Sequence, residues 1–342
     1  MRFAPCPQVL KVPKRYGRLG NTRKAPEKAA AQRPPIMSEL QLNNETFRSV
    51  LERMQTGVYL VDSHRRIVFW NDGAERITGY LRHQVVGRLC RENILMHCDE
   101  QSCSLCGIAC PISETMHDGR PKEARVYLHH RDGHQVPVHL RVAPIRDERG
   151  SVIGAAESFE EQNVETHDGE LAAYGCLDVS TGVPNHNFTQ SHLRESLATY
   201  TEYHVPFGVL LIHVDHLKQV QASHGRQATE FILRAAAGTI RNVLGSGEFV
   251  GRWKENEFLA IKTACDEAQI ERMVKNLQKI VSCSSVRWWD DQLVVHVSVG
   301  HATVQEGDSV ESLVERASTQ RTNSLTEGSG SPQSSAANQG GR

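Results

Sequence analysis

Two strand-like runs around an Asp-Gly pair constrain the fold of this chain more than any other feature of its sequence. The runs cover 125–130 and 135–145, and they are joined by 131–134, where Asp132 and Gly133 stand together. Asp-Gly between two such runs is a strong signal for a β-hairpin. In the second run, apolar and polar side chains alternate, which predicts that one face of the strand is buried and the other is wet.

Further strand-like runs occupy 57–62, 66–71 and 152–159. A helix is predicted before them from four apolar residues at helical spacing, Phe47, Val50, Leu51 and Met54. Together with the hairpin, these runs predict an antiparallel sheet with helices on one side, which is the α+β class.

Composition excludes several kinds of protein. The chain has 342 residues, with 39 Lys and Arg against 40 Asp and Glu, so its formal net charge is −1. A near-neutral chain argues against a nucleic-acid binder that works by bulk charge. The sequence has neither the run of about 18 apolar residues that crosses a membrane nor the apolar stretch of a secretory signal. We therefore predict a cytoplasmic protein that binds neither nucleic acid nor a membrane.

Both ends of the chain are polar. Residues 1–36 are basic and rich in proline, with Glu27 as the only acidic residue, and they predict a disordered N-terminal segment. Translation from Met37 instead of Met1 is an alternative for this end. Residues 319–342 are rich in Ser and Gly and predict a disordered, flexible tail.

Between these ends, the sequence predicts two domains. The first spans 38–160, and the second, in which helices and strands alternate, spans 178–318. The polar linker 161–177 is short and predicts a helical relay between them. In the second domain, Phe207–Val214 is a continuous apolar run that suits a buried central strand.

Two stretches of the first domain are specific enough to indicate a family. FWNDGAERITGY stands at 69–80 and RDERGSVIGA at 146–155, in the order helix, strands, helices and three late strands. In this order they resemble the PAS sensor family. The resemblance implies a small sensory or dimerising module, but PAS ligands are so diverse that the ligand does not transfer.

Four motifs follow in order in the second domain. They are DVSTGVPN at 178–185, IHVDHLK at 212–218, RWKENEF at 252–258 and VSVG at 297–300. Together they resemble the GGDEF family of diguanylate cyclases, which condense two GTP into cyclic di-GMP. The resemblance implies a nucleotidyl-cyclase-like α/β sandwich with a mixed sheet.

The resemblance also shows where this chain departs from the family. A carboxylate at a strand end and another in the signature hairpin hold divalent cations in the family, and His213 and Asn256 stand there in this chain. Asp215, two residues after the first position, is kept. Mg²⁺ prefers hard oxygen ligands, and phosphoryl transfer depends on positioning and on the charge of the cations. The loss of both anions therefore predicts a degenerate metal site.

The rest of the signature is altered as well. Lys254 and Glu255 replace two glycines that let the hairpin backbone approach a nucleotide, while Glu257 and Phe258 are kept. Glu255 also brings a negative charge to the place where a polyphosphate would lie. We expect no catalytic residue in this signature.

Three further residues are candidates for binding a nucleotide. By resemblance, Lys218 is kept, whereas Gln221 and Glu230 are each one methylene longer than the family's Asn and Asp. The predicted protein is a signal-transduction protein whose PAS input controls a GGDEF-like output without catalysis, through dimerisation, protein contact or nucleotide binding. Its predicted partners are a second copy of the chain and an unidentified signalling protein. The alternative is a weakly active diguanylate cyclase, a nucleotidyltransferase that uses Mg²⁺ and GTP.

A cluster of cysteines in the first domain has its own set of interpretations. Cys98, Cys103, Cys106 and Cys110 lie close together, and Pro111 follows the last. Four thiolates can bind Zn²⁺ or an iron–sulfur cluster, and Cys106 with Cys110 can form a redox-active pair. Buried thiols without a chemical role are the third interpretation. A metal- or redox-sensing PAS protein is thus a further alternative function.

Overall fold

The computed structural model describes residues 44–328, apart from positions 91, 93, 100–103, 107–108, 163–170, 172–174 and 246. The predicted disordered segment 1–36, most of the predicted relay 161–177 and the thiol of Cys103 lie outside the described residues.

The first domain is a five-stranded antiparallel sheet with helices, as its sequence predicts. Its elements are α1 (Asn44–Arg53), β1 (Gly57–Asp62), β2 (Ile67–Trp70), α2 (Asp72–Thr78), α3 (Arg82–Val85), α4 (Pro111–Asp118), β3 (Lys122–His129), β4 (Gln135–Arg146) and β5 (Val152–Glu161). The strand order is β2-β1-β5-β4-β3. All of these neighbouring strands pair antiparallel, and the predicted hairpin joins β3 to β4.

Asn71 fixes the start of α2 and ties it to β1. Its fully buried side chain accepts hydrogen bonds through Oδ1 from the backbone N–H of Ala74 and of Val58, both at 2.8 Å. Its Nδ2 donates to the carbonyl oxygens of Leu51 and Thr56, both at 2.9 Å. Because the buried amide uses both its donor and its acceptor, its desolvation is offset by these bonds.

The apolar residues of α1 face solvent. The helix forms as predicted, but Phe47 is 51% exposed and Val50 is 58% exposed. Met54, just after the helix, is exposed as well. The helical spacing of these residues therefore marks an apolar face that the rest of the described chain leaves uncovered.

The second domain contains a four-stranded sheet, a two-stranded sheet and four long helices. Its elements are α5 (His186–Tyr203), β6 (Phe207–Val214), α6 (Leu217–Leu244), β7 (Phe249–Lys254), β8 (Glu257–Thr263), α7 (Glu267–Ser282), β9 (Ser285–Trp288), β10 (Asp291–Val294), β11 (Val297–Thr303) and α8 (Val310–Gly328). The larger sheet has the order β11-β6-β8-β7. The predicted central strand β6 is buried along nearly all of its length.

The prediction of a mixed sheet in the second domain is wrong. The α/β class is confirmed, but each described pairing in the larger sheet is antiparallel. The reason is the position of β8. The crossover helix α6 carries the chain from β6 to β7, and β8 then turns back and inserts between these two strands. They therefore never become parallel neighbours.

The first part of the segment 319–342, predicted to be a disordered tail, is helical. Helix α8 continues to Gly328, and only the part of the tail beyond this residue lies outside the described chain. Leu313 and Ala317 of α8 are fully buried in the core, and Arg321 pairs with Glu257 of β8. These contacts hold the helix through the start of the polar segment. Of the helices that the structure describes, none is both long and apolar enough to cross a bilayer.

The β3–β4 hairpin of the first domain packs against the second domain through buried polar contacts. Gln135 is almost fully buried; its backbone N–H donates to Thr239 Oγ1 at 3.0 Å, and its Nε2 donates to the carbonyl of Cys283 at 2.8 Å. His129 Nε2 lies 2.9 Å from the carbonyl oxygen of Ser285, and it donates because a carbonyl can only accept. Burial lowers the pKa of His129, so the ring stays neutral in this contact.

The turn of the same hairpin approaches the backbone of the second domain closely. The Ser285 N–H donates to the carbonyl of Gly133 at 3.1 Å. Gly133 has a φ of 95°, and a Cβ at this position would lie 2.7 Å from the Ser285 carbonyl oxygen. Glycine is therefore required both for the turn and for the contact between domains.

Replacing Gln135 with Ala tests this interface. We expect the free energy of unfolding of the full chain to fall by about 1–3 kcal/mol, because the half-buried carbonyl of Cys283 loses its donor. Urea denaturation followed by circular dichroism measures the change. The control is Arg141→Gln on the same strand, whose ion pair with Glu123 is exposed and worth at most about 1 kcal/mol. Equal losses in the two variants would contradict a buried interface.

Candidate functional site

Three neighbouring strands bring the predicted site residues to one place. The register of the sheet puts His213 of β6 opposite Glu257 of β8 on one side and Ser298 of β11 on the other. Asn256 lies in the turn between β7 and β8, next to the end of β6. His213, Asp215, Asn256 and Ser298 line an open cavity of about 730 Å³.

The ring of His213 lies between Asn256 and Glu257. Its Nε2 is 3.2 Å from Asn256 Nδ2, and its Nδ1 is 3.6 Å from Glu257 Oε1. Because the amide nitrogen donates, Nε2 accepts, and the proton of the neutral ring is then on Nδ1. This orientation points the N–H of the ring at the carboxylate of Glu257.

Glu257 is surrounded by donors and positive charge. Its carboxylate lies 3.1 Å from Arg321 Nη1 and 3.5 Å from Lys254 Nζ, in addition to His213. The contact with His213 holds the pKa of Glu257 below its ordinary value, and the charges of Lys254 and Arg321 add to this effect against the opposing effect of burial. The negative charge of this residue is therefore already balanced by the protein itself.

Asp215 and Lys218 remain at the cavity. Ser298 Oγ donates to Asp215 Oδ2 at 2.7 Å, which orients the carboxylate at its edge. Lys218 also lines the cavity, as its place in the motif predicts. The other two nucleotide-binding candidates are not among the lining residues: Gln221 is exposed on α6, and Glu230 pairs with its helix neighbour Arg226 at 3.0 Å.

The β7–β8 turn is braced from within. Arg252 donates through Nη2 to the carbonyl of Glu255, and its guanidinium lies over the ring of Phe258 at 4.9 Å. Phe258 is fully buried in the core, whereas Lys254 and Glu255 are exposed at the tip. The signature thus forms an ordered turn whose exposed tip carries two bulky charged side chains.

Comparison with protein families decides the identity of both domains. A PAS domain model matches residues 55–163, and a model described as "Diguanylate cyclase, GGDEF domain" matches residues 176–330. The chain carries a PAS domain followed by a GGDEF domain. Both resemblances seen in the sequence are therefore confirmed.

Several curated diguanylate cyclases are similar to this PAS–GGDEF chain. It is 23% identical over 237 residues to probable diguanylate cyclase DgcE of Escherichia coli, covering 66% of this chain and 21% of that protein. It is 20% identical over 274 residues to diguanylate cyclase DgcP of Pseudomonas aeruginosa, covering 80% of this chain and 39% of that protein. The chain thus spans a minor part of the length of both relatives.

Solved structures similar to this chain include other GGDEF domains. The GGDEF domain of DgcB from Caulobacter crescentus, solved in complex with c-di-GMP, is 22% identical, with a TM-score of 0.43, and the match covers 45% of this chain and 89% of that one. Diguanylate cyclase SiaD from Pseudomonas aeruginosa, solved with its activator SiaC, is 24% identical with a TM-score of 0.44, covering 47% and 63%.

The donor set at the GGDEF site does not fit Mg²⁺. His213 and Asn256 supply no carboxylate, and Glu257 is paired with Arg321 and Lys254, which leaves Asp215 as the carboxylate that lines the cavity. Mg²⁺ needs oxygen ligands in a near-octahedral arrangement and favours carboxylates. Among the described residues, one group of three possible metal ligands has its ligand atoms within 4.8 Å of one another. It consists of Glu267, Glu271 and His301, none of which lines the cavity.

The described cysteines of the PAS domain point to different partners. Cys98 Sγ lies 3.8 Å from Gln135 Oε1 at the interface between domains, and its backbone pairs with Tyr127 of β3. Cys106 lies 3.7 Å from His97 Nδ1, and Cys110 is buried just before α4. These described thiols form no group of metal ligands, so the structure adds no support for Zn²⁺ or an iron–sulfur cluster.

Two charged residues of these sites are not found by reasoning from the sequence. Glu157 is fully buried on β5 beside His97. The sequence signal that could have found it is a carboxylate between Ala155 and Phe159, on the face of the alternating strand that points into the core. Arg321 of α8 lies in the segment predicted to be a tail, and nothing in its local sequence marks its contact with Glu257.

The lowered pKa of Glu257 predicts a pH-dependent loss of stability. The ionised carboxylate stabilises the fold above its ordinary pKa of 4.5 and stops doing so as the pH falls through the lower pKa of the folded state. We therefore expect Glu257→Gln to destabilise the full chain by about 1–3 kcal/mol at pH 7 and by much less at pH 3. Urea denaturation at pH 7, 5, 4 and 3 measures the difference.

The matched control for this experiment is Glu230→Gln. Its pair with Arg226 is exposed, so its effect should stay below about 1 kcal/mol at each pH. A difference between the wild type and Glu257→Gln that does not shrink on acidification would show that the charge of Glu257 is not the cause.

Proposed function

We propose that this chain is a cytoplasmic signal-transduction protein whose PAS domain controls a GGDEF domain that no longer makes cyclic di-GMP. The GGDEF domain acts through contact with a partner protein, through dimerisation or through a bound nucleotide. A weakly active diguanylate cyclase is the alternative that the first experiment below addresses.

The observation that carries this proposal is the lack of free carboxylates at the end of β6. A GTP triphosphate brings several negative charges, and cations must neutralise them before the 3′-hydroxyl of a second GTP can attack. In this chain, the two positions that supply carboxylates for these cations in the family hold His213 and Asn256. The neighbouring Glu257 is committed to Arg321 and Lys254. A metal-bound triphosphate therefore has no adequate set of ligands.

The interface between the domains supports control of the output by the PAS domain. The β3–β4 hairpin contacts the segment between α7 and β9 through Gln135 and His129, and it contacts α6 through Thr239. Helix α6 begins at the cavity with Leu217 and Lys218. Helix α6 thus runs from the rim of the candidate site to the PAS contact, with a kink at Gly225 between them, where φ is 84°.

The uncovered apolar face of α1 supports dimerisation. Phe47, Val50 and Met54 are exposed at the start of the described part of the PAS domain. A second copy of this chain would remove this face from water, at a gain of roughly 25 cal/mol per Å² of apolar surface. A homodimer is thus part of the proposal.

A direct assay tests the loss of catalysis. We expect the purified chain, incubated with GTP and either Mg²⁺ or Mn²⁺, to give no cyclic di-GMP above a protein-free blank, because the triphosphate lacks its cation ligands. Chromatography of the reaction products measures this. Sustained formation of cyclic di-GMP would overturn the proposal in favour of the weakly active cyclase.

Restoring the family's residues provides the positive control for this assay. A variant with His213→Asp, Asn256→Asp, Lys254→Gly and Glu255→Gly should form cyclic di-GMP, because it regains both anions and an open turn. The matched variant with only Lys254→Gly and Glu255→Gly should remain inactive. Equal activity in the two variants would contradict the role that the proposal gives to the two carboxylates.

Nucleotide binding is tested separately from catalysis. The cavity is large enough for a nucleotide, and Lys218 at its edge can pair with a phosphate. If the output senses a nucleotide, calorimetric titration with a non-hydrolysable GTP analogue should show binding that Lys218→Met weakens roughly tenfold. Glu230→Gln, which lies away from the lining, should leave it unchanged. Absence of binding would restrict the output to protein contact or dimerisation.

A further inference from the structure

A cysteine, a histidine and a glutamate form a chain of contacts inside the PAS domain, which we call the Cys106 relay. His97 Nε2 lies 3.0 Å from Glu157 Oε1, and its other ring nitrogen, Nδ1, lies 3.7 Å from Cys106 Sγ. His97 is 4% exposed and Glu157 is fully buried, whereas Cys106 is only half-buried. The relay therefore runs from the core to a thiol near the surface.

The geometry of the Cys106 relay is not that of a metal site. The imidazole ring stands between the carboxylate and the thiol, and each ring nitrogen faces one of them. A single ion cannot be bound by all three groups in this arrangement, because the ligand atoms of Glu157 and Cys106 lie on opposite edges of the ring. The arrangement is instead the one in which a carboxylate orients a histidine that activates a nucleophile.

Glu157 is a carboxylate in an otherwise apolar region of the core. On the inner face of the sheet it lies opposite Tyr59 on one neighbouring strand and Val142 on the other. Its Oε2 and the hydroxyl of Tyr59 are both buried and have no hydrogen-bond partner among the described residues. A charge buried this way is costly unless an opposite charge is close, and His97 is the residue placed to provide it.

The electrostatics of the pair favour a protonated histidine and an ionised thiol. Burial by itself lowers the pKa of His97, but the charge of Glu157 and the hydrogen bonds with Cys106 and Glu157 outweigh it and raise the pKa well above its ordinary value. Burial raises the pKa of Cys106, and the hydrogen bond and charge of His97 more than reverse this and lower it. The contacts thus stabilise an imidazolium–thiolate pair.

Three titratable groups pack around the relay, namely Tyr59 of β1, Cys90 of the loop after α3 and Cys110 before α4, and burial keeps Tyr59 and Cys90 neutral. Burial, with the nearby Cys110 and Glu157, raises the pKa of Cys90 to about 12, and burial raises the pKa of Tyr59 well above its ordinary value. The negative charges within the relay are therefore those of Glu157 and Cys106.

We propose that Cys106 is a modification site in the PAS domain, at which hydrogen peroxide oxidises the thiolate to a sulfenic acid. The thiolate sulfur attacks one peroxide oxygen, an S–O bond forms and the O–O bond breaks. Hydroxide leaves and takes the proton of the His97 imidazolium, which gives water. The sulfur loses two electrons and the peroxide gains them, so that no other reactant is needed. His97 serves as the proton donor and Glu157 as its positioning residue.

This inference goes beyond the proposed function, since it does not depend on whether the GGDEF domain binds or converts GTP. Its test uses the full chain, reduced and purified without oxygen. Hydrogen peroxide is added together with a cyclic-diketone probe that labels sulfenic acids, and peptide mass spectrometry locates the label. We expect the label on Cys106 well before it appears on Cys176, which is also half-buried.

The positioning role of Glu157 is tested by a pH profile. In the wild type, alkylation of Cys106 by iodoacetamide should persist to lower pH than alkylation of Cys176. In Glu157→Gln, the rate at pH 7 should fall roughly tenfold, since each pH unit below a thiol pKa reduces the thiolate fraction tenfold. If circular dichroism shows that Glu157→Gln is unfolded, the wild-type comparison of Cys106 with Cys176 still tests whether Cys106 is activated.

Three outcomes would overturn the inference. They are sulfenic acid on another thiol before Cys106, a pH profile of Cys106 that coincides with that of Cys176, or an unchanged alkylation rate in a folded Glu157→Gln variant. Cys106→Ser serves as the negative control, because it removes the proposed site and should abolish the early label.

Discussion

The positive charge around Glu257 governs the chemistry of the whole GGDEF site. Arg321 reaches this carboxylate from α8, Lys254 from the signature turn and His213 from the central strand. Three separate elements thus converge on one carboxylate at the end of the strands. A buried carboxylate needs a compensating charge, and here the protein itself supplies it. The same contacts that stabilise the fold therefore leave the cavity poor in free negative charge.

A histidine beside a carboxylate occurs in both domains, with opposite consequences. In the GGDEF domain, the ring of His213 lies between Glu257 and the amide of Asn256 and is partly exposed to solvent. In the PAS domain, the ring of His97 faces a thiol on its second edge, and burial makes the electrostatic attraction of Glu157 stronger. The partner on the far side of the ring, together with burial, decides whether the pair is structural or reactive.

Local sequence patterns predict most of the fold because they depend on periodicity and turn chemistry. The central strand β6 follows from its apolar run, and the β3–β4 hairpin follows from Asp132 and Gly133. Contacts between distant parts of the chain are different. His97 and Glu157 are 60 residues apart, and Arg321 meets Glu257 from a segment of polar composition. Such pairs are made by the tertiary arrangement, as is the insertion of β8 that turns an expected mixed sheet into an antiparallel one.

The backbone pairing of Cys98 with Tyr127 has a mechanical consequence. Cys98 directly follows His97, and Tyr127 is two residues from His129, whose ring holds the carbonyl of Ser285 in the GGDEF domain. A displacement of His97 would therefore be transmitted to the domain interface through one backbone pairing and two positions of β3.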